Sequence, residues 1–124
     1  MIHIEMNTSR LKLTIKGHAQ PTEGAQFKEA CSAAGAMAQG LMYSLNAYDE
    51  ETGKEAMKEF KYKNEPGDLF IKIFPEPWAE RELKHRFQIY GDGMQMLAES
   101  HPQFIEMIRD GERILPEKED GKHE

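Results

Sequence analysis

The sequence has one cysteine and one tryptophan in 124 residues, no apolar run long enough to cross a bilayer, and no run of lysine and arginine. Each shortage excludes something. A single thiol cannot close an internal disulfide, and "MIHIEMNTSR" at the N-terminus has no apolar core of signal-peptide length, so a cytoplasmic setting is expected. Without an apolar span of about 20 residues no membrane partner is expected. His85, His101 and His123 show no metal-ligand spacing with one another or with Cys31, and surface or capping roles suit them better than zinc. The "YGDG" stretch falls inside a helical pattern and lacks the Lys-Ser/Thr of a phosphate loop, so neither a metal nor a cofactor is expected.

Charge narrows the partners further. The net charge is −6, and residues 110–124 carry six acids against three bases, so half of the excess lies in the tail. Non-specific nucleic-acid affinity comes mainly from neutralising phosphates, so an acidic chain without a Lys/Arg run is expected to make no direct nucleic-acid contact. A basic peptide or protein would be steered favourably.

Periodicity divides the chain into seven elements. Ile2, Ile4 and Met6 alternate with polar residues, as do Leu11, Leu13 and Ile15, which predicts strands over 2–6 and 11–16 joined by "NTSR". From Gln26 to Tyr48 the apolar positions fall at three- and four-residue steps through Phe27, Cys31, Ala34, Ala38, Leu41 and Leu45. Glycine costs a helix interior about 0.5–1 kcal/mol relative to alanine, so Gly35 and Gly40 predict close packing there, against the protein's own elements or a second subunit. A hairpin is expected over 56–62 and 69–74, with Pro66 and Gly67 of "NEPGD" suiting the centre of a type II turn.

A second helix is expected from near Pro77, with the stripe Leu83, Phe87, Tyr90, Met94 and Leu97 running through "GDG". Trp78, beside Pro75 and Pro77, reads as hydrophobic cover at its start, with a binding surface as the alternative. Pro102 ends the helix, and a last strand is expected within Gln103–Arg109. The order β-β-α-β-β-α-β indicates a single α+β domain over residues 1–109, a largely antiparallel sheet with two helices on one face. Residues 110–124 read as a charged, flexible tail.

The chemistry concentrates on His18 and Cys31. His18 follows the second strand directly after Gly17, and Cys31 lies in the first turns of the first helix. A thiolate is the reactive form of cysteine, and a helix N-terminus or a neighbouring imidazolium lowers its pKa. The imidazole then serves as base and later as acid, and first-turn N–H groups suit a developing oxyanion. By spacing alone the plainer reading is favoured: a lone cysteine in an alanine-rich helix is more often a small buried hydrophobe.

Three stretches alter that balance. "IKGHA", then "EACSAAGAMAQGL" at a helix start, then "YGDGMQMLAESHPQFIEM" resemble the ribosomal-processing cysteine protease family, Prp, in the same order and out to about Arg109. The resemblance implies a homodimeric cysteine protease that removes the N-terminal extension of a large-subunit ribosomal protein after a phenylalanine-containing motif. It implies His18 as the catalytic histidine and Cys31 as the nucleophile.

The sequence also departs from that family. The usual Gly-x-Asp-Ile-Val-Cys becomes "QFKEAC", with Lys28 at the aspartate position, Gly24 displaced by two residues, and Gly35 where a serine is usual. Glu23 and Glu29 are alternative orienters of His18, though neither aligns with the aspartate. Two classes of function follow: a Cys/His endopeptidase, or an impaired relative that binds a peptide or a ribosomal protein as a dimer. Acyl transfer from a non-peptide ester is a third.

Overall fold

The computed structural model describes residues 1–17 and 24–116, so His18 and residues 117–124 of the expected tail lie outside the described residues. Strands β1 (Ile2–Asn7), β2 (Lys12–Lys16), β3 (Met57–Glu65), β4 (Asp68–Pro75), β5 (Ile105–Arg109) and β6 (Glu112–Arg113) form one sheet in the order β3-β4-β2-β1-β5-β6. Every pairing is antiparallel except β1 with β5. Helices α1 (Ala25–Glu51) and α2 (Glu80–Ser100) cover one face. This is the expected α+β architecture and element order, with β6 added.

The two-residue period explains why only one face is covered. Ile2, Ile4 and Met6 of β1, Leu13 and Ile15 of β2, and Ile71 and Ile73 of β4 are buried together beneath the helices. Lys12 and Lys16 of β2 and His3 and Glu5 of β1, the intervening residues, stay exposed. Leu11, expected to open β2, instead sits in the preceding turn with φ +52 while remaining buried. Its core contact outweighs a backbone conformation unfavourable for a bulky residue.

The glycines of the helices divide into two kinds. A Cβ on Gly40 would lie 2.6 Å from the Tyr90 ring, and one on Gly93 would lie 2.7 Å from Met37 Sδ, so both let α1 and α2 approach. A Cβ on Gly91 would lie 2.7 Å from Met6 Sδ and 3.1 Å from the Arg109 guanidinium, so glycine lets α2 lie against β1 and β5 there, and "GDG" continues the helix. Gly35 has no atom within 4 Å of such a Cβ, so none of the protein's own described elements packs closely there. Trp78 is 59% exposed on a 3-10 turn, Pro77–Ala79, so it does not act as core cover.

The sheet also continues past residue 109. Asp110 and Gly111, with φ +52 and +84, form a two-residue turn that returns Glu112–Arg113 alongside β5. Asp110 then ties two turns together: its carboxylate accepts the Thr8 N–H at 2.7 Å and its own N–H donates to the Met6 carbonyl at 2.8 Å.

Candidate functional site

Cys31 is half-buried on the second turn of α1, the seventh residue of that helix. Its position follows from the residues around it. Phe27, one turn earlier, is buried and packs edge-on against Phe104 with ring centres 5.1 Å apart, which fixes the start of α1 over the entry to β5. Ala30 and Ala34 are buried on either side of Cys31, and their small side chains let the helix lie close to the sheet.

From there the thiol residue faces a pocket of about 290 Å³ between α1 and the β3–β4 turn. Ile2, Ile15 and Leu69 of the sheet contribute its apolar part, and Ala34, Gly35 and Ala38 continue the helix wall beside Cys31. The opposite wall is the turn Asn64–Asp68. Gly17, the residue bonded to His18, also lines this pocket. Gly35 is therefore a glycine beside open pocket space.

Three sets of polar contacts brace this pocket. Gln39 of α1 and Asn64 of β3 exchange two amide hydrogen bonds, at 2.9 and 3.2 Å, joining helix to hairpin. Asp68 accepts from Lys16 at 2.5 Å and from Lys63 at 2.6 Å, so three strands meet at one carboxylate. These two lysines hold the Asp68 carboxyl below its ordinary value, chiefly through their hydrogen bonds. Asp68 and Glu65 in turn raise the Lys63 pKa. The Gly17 N–H donates to the Gly67 carbonyl at 2.9 Å, anchoring the chain where it enters the His18 segment.

The chemistry expected at the helix start needs one correction. Cys31 stands about 9 Å along the axis from Ala25, because each residue rises 1.5 Å. The Lys28 N–H is already committed to the Gly24 carbonyl at 3.2 Å. Free first-turn amides therefore do not lie beside the thiol, and the helix dipole, which fades beyond the first turn, contributes little there. The brace residues Gln39, Asn64 and Asp68 were invisible as a site in the sequence, since isolated polar residues carry no spacing signal. Among the described residues, no group of three His, Cys, Asp or Glu side chains is placed to hold a metal ion. No described helix is long and apolar enough to cross a membrane.

The arrangement of sheet and helices is the fold also seen in a solved ribosomal processing protease. Similar solved structures include an essential ribosomal processing protease, Prp, from S. aureus, captured with a substrate peptide and with a covalently linked product peptide. They superpose with TM-scores of 0.65 at 15% and 16% identity, each covering 88% of this chain and 99% of the other. SMU.848 from Streptococcus mutans matches with a TM-score of 0.62 at 15% identity over 87% of this chain and 90% of that one. No family model and no curated protein matches the chain.

Proposed function

We propose that this protein is a cysteine endopeptidase of the Prp type, with Cys31 as nucleophile and His18 as general base. The observation that carries this reading is the shared pocket: Cys31 lines it, and so does Gly17, the immediate neighbour of His18 in the chain. The S. aureus protease of the same fold was captured with peptides, one of them covalently linked, which supports a peptide substrate and a covalent intermediate here.

The reaction follows from the two side chains. The imidazole of His18 takes the proton from Cys31 Sγ, and the thiolate attacks the peptide carbonyl carbon to form a C–S bond. Collapse of that adduct breaks the C–N bond as the imidazolium returns the proton to the departing amine. Water, deprotonated by the same imidazole, then hydrolyses the thioester to a carboxylic acid and restores the thiol. The substrate is an extended peptide with neighbouring phenylalanines, of the kind found in a ribosomal-protein N-terminal extension, and the enzyme works as a cytoplasmic homodimer.

The test is mass spectrometry of the full chain after mixing with such a peptide. An acyl adduct on Cys31 and two cleaved fragments are expected from the native protein, and neither from Cys31→Ala. Cleavage that persists in Cys31→Ala contradicts the reading. For the dimer, light scattering is expected to give about twice the chain mass, and a value near 14.3 kDa contradicts it.

A further inference from the structure

The face of the sheet turned away from the helices carries a charge arrangement that the linear sequence conceals. Lys12 of β2 is paired directly with Lys72 of β4, and Lys72 is paired directly with Lys61 of β3, so three lysines form one row across three strands. Like charges directly opposite one another destabilise a sheet, and a structural sheet would alternate the signs. Arg10 extends the row, its carbonyl accepting a hydrogen bond from Lys72 Nζ.

Carboxylates do not cancel this row. Among the described residues Arg10, Lys12 and Lys72 have no carboxylate partner, and Lys61 has only the exposed Glu59 at 3.8 Å. Glu5 shares a small hollow with Arg10 and Lys12 without bonding to either. Asp68, on the same face, is already shared by Lys16 and Lys63. Burial chiefly, and then the charges of Arg10 and Lys12, pull the Lys72 pKa below its ordinary 10.5.

Aromatic rings flank the row. Phe70 and Phe74 lie two residues either side of Lys72, so the strand period places all three on this face. Lys12 Nζ lies 5.9 Å from the Phe70 ring centre, and Lys72 and Lys61 Nζ lie 4.7 and 5.6 Å from that of Phe74. Phe74 is 38% exposed, although a phenylalanine gains nothing by facing water. Cations set beside the exposed Phe74 ring and the half-buried Phe70 ring on an open sheet match the two demands of an unpaired nucleic-acid strand, which presents phosphates and flat bases together.

The geometry points to a platform for single-stranded nucleic acid on this face, with phosphates over the Lys61–Lys72–Lys12 row and bases stacked on Phe70 and Phe74. An acidic peptide would satisfy the cations but bring no flat base to the rings that the lysines would leave on turning to its charges. The sequence contains no Lys/Arg run because these cations come from three separate strands, and the net charge of −6 hides a local excess of the opposite sign. The platform lies across the sheet from Cys31 and does not depend on the proposed protease activity.

The test is fluorescence anisotropy of a labelled 12-nucleotide oligouridylate titrated with the full chain. Neutralising three to four phosphates predicts that raising salt from about 50 to about 200 mM weakens binding about 20- to 50-fold. An abasic strand with the same phosphates, and the variant Phe74→Leu with the natural strand, are each expected to bind about tenfold or more weaker. Lys72→Gln is expected to weaken binding and Cys31→Ala to leave it unchanged. The proposal is overturned if the oligouridylate fails to bind at 50 mM salt, or if the abasic strand or a polyglutamate of equal charge binds as tightly. It is also overturned if Lys12→Glu halves the mass of the protein in solution, which would make this face a subunit contact.

Discussion

Gly17 donates its N–H to the carbonyl of Gly67 at 2.9 Å, joining the end of β2 to the β3–β4 turn at the mouth of the Cys31 pocket. Gly17 has φ +95, and a Cβ there would lie 2.5 Å from the Met1 carbonyl oxygen. Only glycine fits both the backbone conformation and the space. Gly17→Ala is expected to lower stability by roughly 1–3 kcal/mol in urea unfolding and to displace the segment that carries His18. Unchanged stability would show that this junction is loosely held.

Two glycines of one helix are expected to respond in opposite directions. A side chain at Gly35 enters open pocket space, so Gly35→Ala gains helix propensity and is expected to stabilise by about 0.5–1 kcal/mol. A side chain at Gly40 meets the Tyr90 ring, so Gly40→Ala is expected to destabilise by about 1–3 kcal/mol. Paired urea unfolding measurements check the difference in sign. Because Gly35 borders the pocket, its replacement is also expected to change peptide affinity, which titration of the native and variant proteins with peptide reads directly.

Those two positions also show where sequence reading stopped. The helical pattern located α1, but a glycine that admits a neighbouring ring and a glycine that opens a pocket have the same letter. Strands β1, β2 and β4 were legible because they bury every second residue. The β5–β6 hairpin was missed even though Asp110 and Gly111 form a favoured two-residue turn, since the acidic composition beyond them suggested a tail. Cys31 was legible as a residue type, but the pocket it lines together with Gly17 was not. The bracing by Gln39, Asn64 and Asp68 was not, because it joins residues far apart in sequence.

Asp68 supplies a prediction in pH. Its folded-state carboxyl titrates below the ordinary 3.8 because Lys16 and Lys63 donate to it. Sign follows from proton linkage: the unfolded chain binds this proton more readily, so the contribution is present above the ordinary value and fades as pH falls through the folded one. Carbon-detected NMR titration is expected to place the Asp68 midpoint below 3.8 in the native protein and to move it upward in Lys16→Gln. A midpoint at the ordinary value would mean the two lysines are not engaged in solution.

Thr8 offers a stabilising substitution. It is buried, its Oγ1 has no hydrogen-bond partner among the described residues, and only its backbone is engaged, the N–H donating to Asp110 and the carbonyl accepting from the Leu11 N–H. Thr8→Val keeps the shape and removes the unpaired hydroxyl, so thermal unfolding is expected to show a gain of up to about 1 kcal/mol. A clear loss would reveal a partner for that oxygen.

We propose that Cys31 and His18 form one chemical unit, and the rate of iodoacetamide alkylation of Cys31 against pH, in the native protein and in His18→Ala, measures this most directly. A thiolate that persists below about pH 7 and is weakened by the substitution is the predicted result. A single transition at or above about 8.5 that is the same in both proteins would contradict it.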